Sequence, residues 1–247
     1  MKKHINDFAD FPSKDKWREL YNEQKDSLER IEFSTSNGTG TNDIIDFSRK
    51  MELSPWFLEF NNKSFDLTMN YILVMHHYKK GIPDENWIGA GEKGGIKYFQ
   101  HFKDEHHCIK FWFDFYVESY FFRFFSMIDS IYHILNVNYQ LGVTEGIGFR
   151  NKVSKRLKEK DIGLYEYMKD IRKDEIYLSL DNFRNNFTHN FRPNQISSGI
   201  TRKETKTHLV ISGGVGKYTT SAELVQNIQA SLRLLGDITD FVKNKIE

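Results

Sequence analysis

An arginine and a histidine five positions apart, in the run Arg184-Asn185-Asn186-Phe187-Thr188-His189, form the arrangement in this chain whose residue types best suit a definite chemistry. A guanidinium offers permanent, planar donors to phosphate oxygens, and an imidazole exchanges protons near neutral pH. The amide of Asn185 can orient a hydroxyl or a ring. On a helix Asn185 and His189 share a face, and Arg184 lies about 100° round from Asn185, so the three can line one cleft. These are parts for phosphoryl transfer.

Other candidates are weaker on their own spacing. The run Ser212-Gly213-Gly214-Val215-Gly216-Lys217-Tyr218 lacks the first glycine and the final Ser/Thr of a phosphate-binding loop, where Ile211 and Tyr218 stand instead, and reads as a glycine turn. His101, His106, His107 and Cys108 cluster with Asp104 and Glu105, but His106 and His107 are adjacent and therefore about 100° apart on a helix. His76 and His77 close another helix, where imidazoles suit the helix dipole without any chemistry. No metal and no cofactor are expected.

The elements that must position the Arg–His pair follow from periodicity. Residues 14–31 carry an amphipathic pattern, residues 34–42 have loop composition, and Ser54-Pro55 predicts a break. We therefore expect an N-terminal helical extension over 1–61 and a helical domain over 62–247. Residues 64–80 predict a helix ended by Gly81 and Pro83, and 81–102 an irregular glycine-rich loop. A long spine helix over 104–136 is hydrophobic nearly all round, as suits a helix surrounded by others. A basic helix over 149–160, a helical stretch over 164–171 and the motif helix over 174–189 come next, the last with Ile176, Leu178, Leu180 and Phe183 as core contacts. Residues 200–204 and 205–211 could pair as a small hairpin, and Thr220 with Glu223 makes a capping box for a C-terminal helix.

Composition sets the remaining bounds. With 35 basic and 34 acidic residues the formal charge is +1, so no global field attracts a polyanion and any anion binding is local. The aromatic run over 111–125 is interrupted by Asp114, Glu118 and Arg123, which argues for a buried helix and against a membrane span. The lone Cys108 and a start without an apolar stretch point to the cytoplasm.

The motif in this setting resembles the HEPN superfamily of all-helical nucleases and nucleotide-binding proteins, whose signature is Arg, four to six residues, then His, commonly with a polar residue after the Arg; Asn185 holds that place. The resemblance covers residues 62 to 246 and includes the long aromatic helix upstream and the final helix behind. It implies an all-α (mainly) bundle, and a homodimer in which two motif helices face one cleft and cut RNA without metal. Carried over, His189 takes part in proton transfer as the ribose 2′-hydroxyl attacks the adjacent phosphate, Arg184 stabilises the phosphorane charge and Asn185 positions either. The products would be a 2′,3′-cyclic phosphate and a 5′-hydroxyl. The alternative is a catalytically silent module binding RNA, a nucleotide or a protein. Toxin, phage-defence and RNA-processing roles all fit, with an antitoxin or regulatory protein as a further partner. Toxins of this family that pair with a nucleotidyltransferase typically carry Tyr two residues after the His; here Phe191 stands there, so that mode of control is not expected. Lys152, Lys155 and Arg156, with Lys158 and Lys160, could guide an RNA backbone, as could Arg192, and Tyr165 or Tyr167 could stack a base.

Overall fold

The computed structural model describes residues 4–34, 44–92, 95–205 and 208–246. The expected loop over 34–42 lies, apart from Ser34, outside them. A short 3-10 turn, Ile5–Phe8, precedes α1 (Lys14–Asn22), α2 (Lys25–Arg30), α3 (Ile44–Tyr78), α4 (Asp104–Asn138), α5 (Phe149–Lys160), α6 (Ile162–Ile171), α7 (Glu175–His189) and α8 (Ser221–Ile246). Two antiparallel hairpins complete the described residues: β1 (Ile88–Ala90) with β2 (Ile96–Tyr98), and β3 (Ile200–Glu204) with β4 (Leu209–Gly213). The protein is mainly α, as its periodicity predicts.

α4 is the spine. Phe113, Val117, Tyr120, Phe121, Phe124, Met127, Ile131 and Leu135 are buried along it, on more than one face, because neighbours pack around it. α3 runs antiparallel to it: Tyr78 meets Phe113, His77 meets Tyr116, Lys63 donates to Ser130 and Trp56 stacks on His133. α8 closes the bundle, with Ser231 bonded to Tyr120 of α4, Asn227 to Ser179 of α7, and Phe241 stacked on Tyr167 of α6 at 3.8 Å.

The break expected at Ser54-Pro55 does not occur, and α3 passes through Pro55. An interior proline leaves the carbonyl four residues back without its partner and costs about 3 kcal/mol. Pro55 and Met51 both lie on the exposed face, where water can serve that carbonyl, while Leu53 and Phe60 hold the opposite face in the core. The boundary expected between 61 and 62 thus falls inside a continuous helix. Leu20, Leu28 and Phe33 belong to the same core cluster as α4 and α8, and Asn61 clasps the backbone of Phe33 in both directions at 2.9 Å. The helix expected over 14–31 is instead two, turning at Glu23-Gln24, which lets Arg30 reach Asp237 and Asp240 of α8 at 2.5 and 2.6 Å.

The capping box of α8 forms as expected, with Thr220 N donating to Glu223 Oε2 (2.8 Å) and Glu223 N to Thr220 Oγ1 (3.3 Å). Buried Asp84 adds a second clamp, accepting from Ser221 N, Ser221 Oγ and the Tyr218 hydroxyl at 2.6–2.8 Å. The glycine turn before α8 packs backbone on backbone. A Cβ at Gly216 would stand 1.9 Å from Ser197 O, and one at Gly199 (φ +67°) 2.1 Å from Gly214 O. Close approach accounts for these glycines.

Candidate functional site

α7 is anchored along one stripe. Asp174 caps its first turn, accepting from Ile176 N and Tyr177 N, and Tyr177, Leu180, Phe183 and Phe187 are buried, the three aromatic rings against α4. Phe121 lies 5.3 Å from Phe183 and 5.7 Å from Phe187, and Tyr177 meets Phe125 edge-on at 5.5 Å. Leu178, expected in the core, is 53% exposed. It lies three and seven residues before Asp181 and Asn185, which puts it on the outward polar face.

That face carries a connected polar group. Arg184 Nη2 lies 2.9 Å from Asp181 Oδ1 and donates to Asn185 Oδ1 at 3.0 Å, while Asn185 Nδ2 donates to Asp181 Oδ2 at 3.2 Å. The guanidinium sits over Phe125, 4.6 Å from the ring centroid. Two charge-directed contacts and an aromatic platform thus fix a half-buried cation at the surface. His189 ends the helix exposed to solvent, and among the described residues no group hydrogen-bonds its ring. Beside it Asn182, Asn186 and Asn190 form an amide ladder at 3.1–3.2 Å. Asp181 and this ladder were missed in the sequence, although their i, i+3 and i, i+4 spacings were there to read.

The basic residues fall in separate places. Lys152, Lys155 and Arg156 line a cleft of about 660 Å³ beside Gln140–Thr144, with Arg156 bonded to Leu141 O. Lys155 also borders a second cleft, of about 690 Å³, with Lys158, Tyr165, Lys169, Arg172 and Lys173, where Lys158 and Lys169 each sit 5.7 Å from the Tyr165 ring. Arg192 is apart from both, 3.5 Å from Glu118, in a phenylalanine-lined cleft around the buried pair Lys110–Asp114. Tyr167 is not free to stack a base, because Phe241 covers it. Burial pushes its hydroxyl up to about 12.

A path of contacts joins α7 to the Tyr165 cleft. Arg150, bonded to Asp129 and to Phe125 O, comes within 5.9 Å of the Phe125 ring that Arg184 covers, and its neighbour Asn151 accepts from Arg172 at 2.9 Å. His101, His106, His107 and Cys108 do not converge on a common point: His106 Nδ1 accepts from Lys103 N at 3.1 Å, and His107 packs on Phe102. No helix among the described residues is long and apolar enough to cross a membrane.

A mainly helical bundle that presents an Arg-Asn pair and a following His on a late helix, ahead of a long closing helix, has the build of a HEPN domain. The model of the HEPN_Cthe2314-like HEPN family matches residues 56–243, and the chain belongs to that family. No curated protein and no solved structure matches it.

Proposed function

We propose that the protein is a HEPN-type endoribonuclease that cleaves by 2′-hydroxyl attack and needs no metal for the chemical step. The observation that carries this reading is Arg184, held on an exposed helix face by Asp181, Asn185 and Phe125, with the exposed imidazole of His189 five residues on, at the end of the same helix. In the proposed step His189 takes the 2′-hydroxyl proton as that oxygen bonds to phosphorus, and Arg184 neutralises the equatorial oxygens. The bond to the 5′-oxygen breaks, and that oxygen leaves protonated from the second motif of a dimer. A 2′,3′-cyclic phosphate and a 5′-hydroxyl result, and DNA resists because it lacks the nucleophile.

Leu178 and Phe191, 53% and 58% exposed, flank the polar face and supply apolar surface for a symmetric pairing of two α7 helices. The Tyr165 cleft, with its five cations and one aromatic ring, suits a single RNA strand running towards the motif through Arg172 and Arg150. Toxin and defence roles, with an antitoxin or other regulatory partner, are biological settings for the same activity.

The test is incubation of purified protein with total RNA in EDTA, with end-group analysis of the products. Cyclic-phosphate ends that vanish in His189→Ala are expected; uncut RNA at high enzyme concentration sinks the proposal. One observation favours the alternative of a silent RNA- or nucleotide-binding module: the Arg184 charge is already partly met by Asp181. That reading predicts RNA retention that depends on Arg184 without any cleavage.

A further inference from the structure

The N-terminal segment crosses the end of α3 at a point where several acceptor atoms meet. Asp10, His76 and His77 each place one ligand atom within 4.8 Å of the others. His77 is fully buried, its Nδ1 2.8 Å from Leu73 O and its Nε2 3.2 Å from Phe8 O. Both neighbours are carbonyl oxygens, which only accept, and a neutral imidazole has a single N–H to give. The shorter contact assigns that hydrogen to Nδ1. The Nε2 lone pair then faces the lone pairs of Phe8 O in a buried place, an arrangement a cation between them resolves. A second observation is independent of the first. His76 Nε2 is buried without a hydrogen-bond partner and lies 3.4 Å from Asp10 Oδ2.

We propose that Asp10, His76 and His77, with the Phe8 carbonyl as fourth donor, form a zinc-type site that staples the N-terminal segment to α3. Zinc bonds of 2.0–2.1 Å in a tetrahedron require ligand atoms about 3.3 Å apart. Two edges are already close to that, 3.2 Å from His77 Nε2 to Phe8 O and 3.4 Å from His76 Nε2 to Asp10 Oδ2, and the other carboxylate oxygen, Oδ1, lies 3.9 Å from His77 Nε2. Leu73 O is the outer partner that fixes the His77 tautomer. Two imidazoles and a carboxylate are a protein donor set that zinc takes readily, and the Phe8 carbonyl is a weaker fourth donor whose place water can take. Lys80 competes for the site, since its ammonium rests on Asp10 Oδ1, but its side chain reaches solvent and can turn away. The segment is also docked at a second point, where Trp112 Nε1 donates to Ile5 O at 2.9 Å.

The test uses the untagged full chain, stripped with chelator and checked for helicity by circular dichroism, and reads metal binding rather than RNA cleavage. Calorimetric titration with zinc should give one equivalent per chain, cobalt should show the intense visible bands of a tetrahedral ion, and zinc should raise Tm. His76→Ala and Asp10→Asn, both folded, should each weaken zinc binding by more than about tenfold, and Lys80→Met should strengthen it. His77→Ala is a poor sole probe because a fully buried ring leaves a cavity. Absence of stoichiometric uptake by the native chain, or uptake undiminished in His76→Ala and Asp10→Asn, overturns the proposal.

Discussion

Arg184 and Phe125 are paired across α7 and α4, guanidinium carbon to ring centroid 4.6 Å, and the same ring is approached by Arg150 at 5.9 Å. One aromatic side chain therefore links the proposed phosphate-binding arginine to a cation on the basic helix. Phe125→Leu keeps the burial and removes the π face. It should weaken the hold on Arg184 by about 0.5–2 kcal/mol, seen as lower RNA cleavage with Tm reduced only modestly.

The two motif side chains should separate chemistry from folding. His189→Ala is expected to lower kcat by about 10²–10⁴ and Arg184→Ala by about 10²–10³. His189 is exposed, so its variant should unfold within about 0.5 kcal/mol of the native chain in urea. A matching loss of stability would mean that activity fell for structural reasons.

Lys110 and Asp114 form a buried pair at 2.5 Å, with Lys110 also donating to Asn194 O at 3.2 Å. Burial raises the Asp114 carboxyl above its ordinary value, against the pull of Lys110. Lys110→Met leaves that carboxyl uncompensated and should cost about 3–5 kcal/mol. The double variant Lys110→Met/Asp114→Leu should recover much of the loss, as denaturant unfolding of the three chains can measure.

His133 gives the pH dependence a sign. Packed between Trp56 at 4.2 Å and Phe149 at 4.4 Å, its imidazole is held below its ordinary range by burial, which outweighs Glu145 and Asp129. Below about pH 6.5 the unfolded chain takes up a proton that the folded chain refuses. Stability is therefore full above that pH and falls as acidity increases, until the folded-state value is passed. Urea unfolding should show the native chain losing more stability between about pH 7 and 5 than His133→Phe does. Equal losses would remove His133 from the account.

Helices whose packing faces repeat along the chain were legible in the sequence. α4, α5, α7, α8 and the hairpin at Ile200–Glu204 and Leu209–Gly213 lie within a few residues of where periodicity and turn chemistry put them. Contacts between distant segments were not legible. Pro55 reads as a break until its exposed side is known, and the turn at Glu23-Gln24 has no glycine or proline to announce it. Tyr167 reads as available until Phe241 is seen to cover it, and nothing local to His76 and His77 points to Asp10. On α7, Leu178 reads as core while Ile176, Leu178 and Leu180 are taken as one face, whereas the buried stripe runs through Tyr177, Leu180, Phe183 and Phe187.

The shared core has a practical consequence for anyone trimming the protein. A fragment cut to the family match would begin at Trp56, one residue past Pro55, and would discard α1, α2 and the first turns of α3. Phe57, Phe60 and the Arg30 partners Asp237 and Asp240 would then lose their covering residues together. Such a truncation should come out of expression as aggregate, so the amino-terminal helices belong in any version used for assays or crystals.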